Sequence, residues 1–155
     1  MPISTSPLIE VKQTARKGRG VFAREFIPAE TVIERVPVLV LPDDDISYAK
    51  DSVLQHYVYE WGRGTICVAL GCGSIYNHSF TPNARYDDVG RQTKVFTALR
   101  DISPGEEITI NYNGDEDDLT PVGFDVVEDE LVTADGEFEF AGFPGEDNGD
   151  ASLVS

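Results

Sequence analysis

The chain changes character after residue 114, where its basic side chains end. Residues 1–114 carry all twelve Lys and Arg residues together with fourteen acidic ones, whereas residues 115–155 carry fourteen acidic residues and no basic one. A turn-like Asn113-Gly114-Asp115 marks the change. A chain of 155 residues suffices for one domain. The sequence therefore predicts one folded, nearly neutral body over residues 1–114 and an acidic C-terminal tail over 115–155.

The tail is not uniformly polar. It contains several large apolar residues, and Phe138-Glu139-Phe140 alternates as a strand edge would. We expect its first half to dock on the body and the segment from Gly145 to Ser155 to be loose. Two interpretations of the charge stay open: a solubilising extension, or an attraction for a basic partner.

The overall charge excludes several function classes. A formal net charge of −16 argues against direct binding of nucleic acid or an anionic membrane, since phosphate contacts are made by Lys and Arg. No apolar run approaches the roughly 20 residues needed to cross a bilayer, and residues 1–8 lack the core of a secretory signal. We expect a cytoplasmic protein, with a nuclear location open if the source is eukaryotic. Two cysteines, Cys67 and Cys72, predict neither a zinc site nor a disulfide framework.

Short β-type runs separated by turn signals dominate the body. The expected strands are 8–13, 21–23, 31–41, 57–61, 65–70, 94–100 and 107–111. Pro37 marks an edge or a bend in the third of them. Helical spacing of apolar residues after the acidic triplet 43–45 predicts one short helix over 46–53. The fold class is therefore mainly β, built from several small sheets.

Three segments carry candidate chemistry. Lys17 to Phe22 is a glycine-flanked turn that could hold a polar ligand with its amides, although taken alone an ordinary tight turn is the favoured explanation. Tyr76 to Asn83 packs amide, imidazole and hydroxyl groups so densely that each would need its own partner if buried; taken alone, its histidine has a structural explanation. Gly105 to Tyr112 is a turn and a strand that end at a tyrosine.

The order of these three segments strongly resembles the SET domain of protein lysine methyltransferases. The matching residues are the glycine turn at 18–22, Asn77-His78-Ser79 with Pro82-Asn83, and Glu106-Glu107-x-Thr109-x-x-Tyr112. The resemblance covers about residues 8 to 114. It implies a SET-type (β-clip) fold of small curved sheets around a pseudoknot, with few short helices. Because residues 115–155 contain no Cys or His, it also implies a small stand-alone member without the post-SET zinc cluster.

The resemblance assigns a role to particular residues of this chain. Gly18, Arg19 and Gly20 would hold the methionine part of S-adenosylmethionine through their backbone, with Asn77 and the backbone of His78 contacting its amino and adenine ends. Tyr112 looks like the catalytic tyrosine. Tyr86 matches the position that influences how many methyl groups are added, and a tyrosine there favours monomethylation.

Two further aromatic residues complete the expected substrate channel. Tyr76 would line it. Phe124, from the tail, would cover the cofactor in place of the missing zinc cluster, although it could equally anchor the tail on the body.

The implied function is transfer of a methyl group from S-adenosylmethionine to the ε-amine of a lysine in a basic protein, such as a histone or ribosomal protein. An alternative is a catalytically silent SET-like module that binds basic proteins through the acidic tail. A β-rich structural or metal-binding protein is a third interpretation, which the lack of ligand clusters in the sequence weakens.

Overall fold

The computed structural model describes residues 5–123 and residue 126. Nine strands, one α-helix and one 3₁₀ turn make up this part of the chain. In chain order they are β1 (Ile9–Gln13), β2 (Arg19–Ala23), β3 (Val32–Val40), α1 (Asp43–Lys50), a 3₁₀ turn (Val53–His56), β4 (Val58–Trp61), β5 (Thr65–Ala69), β6 (Asn77–His78), β7 (Ala84–Val89), β8 (Thr93–Ala98) and β9 (Glu107–Ile110). The prediction of a mainly β body is confirmed.

The strands form two sheets. One has the order β1-β2-β9-β6 and the other the order β4-β5-β3-β8-β7. Neighbouring strands are antiparallel except β6 and β9, which run parallel with Asn77 opposite Thr109 and His78 opposite Ile110. A parallel pair needs a crossover connection, and here β7 and β8 of the other sheet supply it. This crossover brings the second and third sequence motifs side by side.

Asn83 fixes the crossover. Its side chain is 2% exposed and bridges the backbone of β9 on both sides, because its Nδ2 donates to the Glu107 carbonyl at 2.7 Å and its Oδ1 accepts from the Thr109 amide at 2.9 Å. Its own carbonyl accepts from the Leu99 amide. One asparagine therefore ties β9 to the chain that enters and leaves the second sheet.

The five-stranded sheet curls until its two edge strands meet. Tyr59 of β4 and Tyr86 of β7 lie at opposite ends of the strand order, yet their rings pack edge to face with centroids 5.0 Å apart. β3 pairs with β8 up to Pro37 and with β5 from Val38 onwards. Pro37 thus lies in a central strand, at the change of partner, so of the two predicted alternatives the edge is wrong.

Two other local predictions need correction. The helix begins at Asp43, not at Ile46, and ends at Lys50. Acidic side chains in the first turn interact favourably with the positive end of the helix dipole, so the triplet starts the helix that it was expected to precede. Strands β6 and β7 were not predicted at all, since β6 has two residues and β7 is polar and half exposed.

The core lies between the two sheets and consists mainly of β-branched residues and small aromatic clusters. The side chains at 0% exposure include Val21, Ile27, Phe96, Ile108 and Ile110. No helix in the described part of the chain is both long and apolar enough to span a membrane.

Candidate active site

A cavity of about 1030 Å³ lies where the glycine turn, the Asn77-His78 segment and the end of β9 meet. Most of the residues that the sequence singled out line this cavity: Gly18, Arg19, Tyr76, Asn77, His78, Tyr86 and Tyr112. Gly20 lies behind its wall, and Phe124 falls outside the residues that the structure describes. The three motifs therefore converge on one site.

The glycine turn is closed by the residues that precede it. The Thr14 amide and hydroxyl both donate to the Gly18 carbonyl, at 2.6 and 2.8 Å, and the Lys17 amide donates to the Thr14 hydroxyl at 2.7 Å. Gly18 has a φ of +71°, a left-handed conformation that glycine adopts without steric cost. The sequence folds into this turn because threonine supplies the polar closure and glycine the conformation.

Glu107 connects the glycine turn to Asn77. The Asn77 side-chain amide donates to Glu107 Oε1 at 2.7 Å and to the Arg19 carbonyl at 3.1 Å, while Lys17 Nζ donates to Glu107 Oε2 at 2.6 Å. The side chains of Lys17 and Glu107 are only 12% and 7% exposed. A buried charge is stable only when it is paired and hydrogen-bonded, and this network meets both conditions.

Gly20 makes this network possible. A Cβ at position 20 would lie 2.6 Å from Glu107 Oε1 and 3.0 Å from Asn77 Nδ2, closer than packed side chains tolerate. Gly20 thus serves the cavity from behind, by letting Glu107 and Asn77 approach the backbone of β2.

The His78 side chain is a buried structural element. It is 4% exposed, and its Nδ1 accepts the Tyr112 amide proton at 3.0 Å. An accepting Nδ1 in a neutral imidazole assigns the ring proton to Nε2. The ring packs edge to face against Phe80 and Tyr112, with centroid distances of 4.5 and 5.2 Å.

Tyr112 is held at both ends by the segment 76–78. Besides its amide bond to His78, its hydroxyl donates to the Tyr76 carbonyl at 2.6 Å. Burial, with a smaller contribution from the charge of Glu107, raises the pKa of the Tyr112 hydroxyl above its ordinary value. The hydroxyl therefore keeps its proton at neutral pH and commits it to Tyr76, so its oxygen acts as an acceptor towards any other group in the cavity.

Tyr59 and Tyr86 form the aromatic wall of the cavity. The Tyr86 hydroxyl donates to the Tyr112 carbonyl at 3.3 Å, and the Tyr59 hydroxyl donates to the Gly73 carbonyl at 2.5 Å. Burial, followed by the charges of Asp88 and Glu60, raises the pKa of Tyr86 to about 12. Both phenols are neutral hydrogen-bond donors under ordinary conditions.

Tyr76 contributes its main chain to Tyr112 and its side chain to the core. The ring is 1% exposed and stacks on Phe96, with centroids 4.4 Å apart, while its hydroxyl donates to Glu34 Oε1 at 2.9 Å. Burial raises the pKa of Glu34, and the hydrogen bond from Tyr76 opposes that rise. The role of Tyr76 in a substrate channel stays a prediction.

The first described residues of the tail reach the same cavity. Asn113 Nδ2 donates to the carbonyls of Asp118 and Thr120, at 3.3 and 2.8 Å, and turns the chain back towards the body. Thr120, Val122 and Val126 then line the cavity. Among the described residues no group of His, Cys, Asp and Glu side chains is arranged to hold a metal ion.

Comparison of the sequence with known protein families agrees with this arrangement. Residues 18–113 match the SET domain family. The chain belongs to that family. SET domains are methyltransferase domains, so the chain is an enzyme of the methyltransferase class.

Relatives and a solved structure support the same assignment. The chain is 41% identical over 114 residues to a Schizosaccharomyces pombe histone-lysine N-methyltransferase specific for lysine 37 of histone H3, covering 72% of this chain and 77% of that protein. It is 33% identical over 119 residues to a Cryptococcus neoformans enzyme specific for lysine 36 of histone H3, covering 69% of this chain but 14% of that longer protein.

A crystal structure from Plasmodium falciparum shares the fold. Its protein is provisionally assigned as a histone methyltransferase, and the TM-score is 0.58 at 28% identity, covering 71% of this chain and 95% of that one. The expected SET-type fold of small curled sheets is thereby confirmed.

Sequence reasoning missed the residues that support the site from behind. Glu107 and Asn83 belong to the recognised motifs, but their partners lie far away along the chain and no spacing indicates them. The sequence also does not predict the contact between Lys94 and Tyr59, because the curl of the sheet brings them together. For Lys94 one signal existed: it is a lysine in a strand whose other residues suit a core.

Proposed function

We propose that this chain transfers a methyl group from S-adenosylmethionine to the ε-amine of a lysine in a basic protein. The observation that carries the proposal is the convergence of the Gly18-Arg19 turn, Asn77 and the hydrogen-bonded Tyr112 hydroxyl on one cavity. Membership of the SET domain family supports the same reaction. A monomethylating enzyme is the finer form of the proposal, which rests on Tyr86.

The lining of the cavity fits such a cofactor. Arg16, Lys17 and Arg19 place positive charge at one end, where a carboxylate would bind, and the Gly18 turn offers backbone groups nearby. Tyr59, Tyr86 and Tyr112 place aromatic rings at the other. Aromatic faces attract cations, which suits the sulfonium. When bound, S-adenosylmethionine would supply a methyl group on a positively charged sulfur: a neutral lysine amine would bond to the methyl carbon while the carbon–sulfur bond breaks, releasing S-adenosylhomocysteine and a proton.

The lysine amine must first lose a proton. An ordinary lysine has a pKa of about 10.4, so the neutral form at pH 7 costs roughly 4.6 kcal/mol. An aromatic cavity lowers that cost because it removes water from the ammonium. The positive sulfonium of a bound S-adenosylmethionine would lower it further by repulsion between like charges. The phenols of this wall stay neutral and therefore do not stabilise the ammonium as a carboxylate would.

Tyr112 then serves as a fixed acceptor. Its hydroxyl proton is committed to the Tyr76 carbonyl, so its oxygen can orient the amine and attract the electron-poor methyl group. Because burial raises its pKa, Tyr112 acts as a neutral phenol and not as a phenolate base. Catalysis in this proposal is mainly alignment of the two reactants.

The substrate class follows from charge and from the relatives. Fourteen acidic residues and no basic one beyond position 114 would concentrate a basic partner electrostatically. The S. pombe and C. neoformans relatives are named for histone H3. We therefore take histone H3 as the first substrate to test, and expect KM for it to rise steeply between low and high salt.

The start of the tail acts in this proposal as a cover for the cofactor. Thr120, Val122 and Val126 line the cavity, and the Asn113 side chain holds the turn that leads to them. Truncation after Gly114 should weaken S-adenosylmethionine binding, measured by isothermal titration calorimetry, by about tenfold. An unchanged dissociation constant in the truncated protein would remove the cover from the proposal.

The decisive test is methyl transfer by the full chain. Isothermal titration calorimetry with S-adenosylmethionine should give saturable binding, and a radiolabelled methyl group should then appear on histone H3 within a panel of basic proteins. Binding without transfer to any member of the panel would favour the silent module, which needs a basic surface partner but no reaction. Absence of both binding and transfer would refute the proposal.

A further inference from the structure

Lys94 of β8 is buried inside the curl of the five-stranded sheet. It is 0% exposed, and it is the only lysine or arginine in the buried core of the described residues. Its cross-strand neighbour Asp88 of β7, whose side chain is 40% exposed, forms an ion pair with its ammonium. The proposed reaction makes no use of this charge, so its presence needs a separate explanation.

Three aromatic rings surround the ammonium. Lys94 Nζ lies 4.4 Å from the ring centroids of both Tyr59 and Tyr86, and 5.6 Å from that of Trp61. Tyr59 and Trp61 come from β4 and Tyr86 from β7, so one side chain contacts the two edge strands that the curl brings together. We call Tyr59, Trp61 and Tyr86 the aromatic cage.

The cage is costly to build with a charged occupant. The free-energy cost of removing the Lys94 ammonium from water is offset here by one carboxylate and by attraction to the ring faces. An apolar side chain of equal length would fill the space without that cost. An ammonium does what an apolar residue cannot, because its attraction to each ring depends on the position of the ring face. It therefore restricts the orientation of both tyrosines.

The restricted rings are those of the cavity wall. Tyr59 and Tyr86 line the candidate active site, and the Tyr86 hydroxyl reaches the Tyr112 carbonyl at 3.3 Å. At that length the hydrogen bond is weak, so it cannot hold Tyr86 unaided. The Tyr86 ring also contacts the rings of Tyr59 and Phe96, and the Lys94 ammonium behind it adds a charged contact 4.4 Å from its centroid.

We propose that Lys94 is a positioning residue that sets the orientation of Tyr86 and thereby limits how many methyl groups the enzyme adds. The inference rests on the proposed function, since it concerns the lysine side of the same cavity. With Lys94 in place, the Tyr86 hydroxyl stays beside Tyr112 and occupies space that a methylated amine would need. Without it, the ring gains freedom and a second transfer becomes easier.

The first measurement needs no activity. In protein labelled with ¹³C in the tyrosine rings, the Tyr86 signal is assigned from its loss in Tyr86→Phe. It should shift in Lys94→Met, which keeps the length of the side chain and removes the charge. Lys12→Met is the matched control, because Lys12 also pairs with a carboxylate and lies over a ring, Phe22, but on the exposed face of β1. A Tyr86 signal unmoved by Lys94→Met would overturn the positioning role.

The second measurement is the ratio of dimethyl to monomethyl product on unmodified histone H3, read by mass spectrometry. This ratio should rise at least threefold in Lys94→Met and stay unchanged in Lys12→Met. A merely structural role would lower total turnover with the folded fraction and leave the ratio where it was, which would overturn the proposal. The double variant K94M/Y86F should give the same ratio as Tyr86→Phe, because Lys94 acts through that ring.

Two further outcomes are distinguishable. If Lys94→Met does not fold, Asp88→Asn is the second variant, because it keeps the lysine and removes its ion pair. The Tyr86 signal and the ratio of dimethyl to monomethyl product should then change in the same direction, but by less. If neither changes, the proposal is overturned. If the wild-type protein binds S-adenosylmethionine but methylates nothing, the proposed function fails. The ring signal alone then decides whether Lys94 positions Tyr86.

Discussion

The two ends of the cavity are built from different interactions. At the glycine end, charged and amide groups hold the site: Lys17, Glu107 and Asn77 form a buried hydrogen-bonded chain against the backbone of β2. At the aromatic end, rings hold it, with Tyr59 and Tyr86 in contact with each other and with a buried ammonium.

This difference indicates how each end tolerates change. Hydrogen bonds between buried charges are directional and are lost as a whole when one partner is removed. Ring packing is broader and yields by degrees. We therefore expect substitutions at the glycine end to act on cofactor affinity in large steps, and those at the aromatic end to act on rate and product.

Tyr112→Phe should show the largest effect, since it lies where the two ends meet. The change removes the oxygen proposed to align the amine but keeps the ring on His78. Single-turnover methyl transfer should fall about 100-fold or more, while the S-adenosylmethionine dissociation constant changes little. Tyr48→Phe, at a position 75% exposed, is the control and should behave as wild type. Normal turnover in Tyr112→Phe would remove its catalytic role.

Gly20→Ala tests the steric limit at the glycine end. Its Cβ would meet Glu107 Oε1 at 2.6 Å, so the network must shift. We expect an affinity loss of about tenfold by calorimetry and a fall of about 1–3 kcal/mol in the free energy of unfolding. Gly90→Ala is the comparison: it has a φ of +62° and no atom within 4 Å, so it should lower stability through strain alone. Equal affinities in the two variants would contradict this assignment.

Glu107→Gln tests the charge at the same end. The amide can still contact Asn77 but no longer pairs with the Lys17 ammonium. Cofactor affinity should fall several-fold with kcat nearly preserved, as measured by steady-state kinetics at saturating substrate. Glu106→Gln is the neighbouring control, whose carboxylate pairs with the 55% exposed Arg100 outside the cavity. The distinction fails if both variants lose affinity alike.

The smallest effect is a pH dependence of stability from the aromatic end. Tyr86 has its pKa raised to about 12 by burial, against about 10 in the unfolded chain. Its contribution to the free energy of unfolding is fully present below pH 10. Between about pH 10 and 12 only the unfolded chain loses this proton, so the free energy of unfolding falls across that window. Urea unfolding at pH 9, 10 and 11 should show a shallower fall in Tyr86→Phe than in the wild type.

The sequence predicted the local parts of this molecule well. Hairpins such as β4–β5, closed by Gly62-Arg63-Gly64, are readable because both strands and their turn lie within a few residues. The site residues Gly18, Asn77 and Tyr112 were found through the family resemblance, and the structure brings them together. Their individual roles remain predictions.

What the sequence did not predict depends on distant pairing. β6 has two residues and exists only because β9, thirty residues later, lies beside it. Lys94 lies in a strand that suits a core, but its aromatic neighbours are set by the curl, which brings Tyr59 next to Tyr86. The acidic triplet was misjudged because it suits both a loop and the first turn of a helix. Phe124 and the loose end expected beyond Gly145 lie outside the described residues.

Strand β9 determines how far Glu107 lies from Tyr112. It carries Glu107 near the glycine turn and ends at Ile110, two residues before Tyr112. The Asn83 side chain hydrogen-bonds the backbone of this strand at Glu107 and Thr109 and so fixes its position. The spacing between Glu107 and Tyr112 therefore does not depend on the length of surface loops. Evolution or engineering could change this spacing only by shifting or rebuilding strand β9.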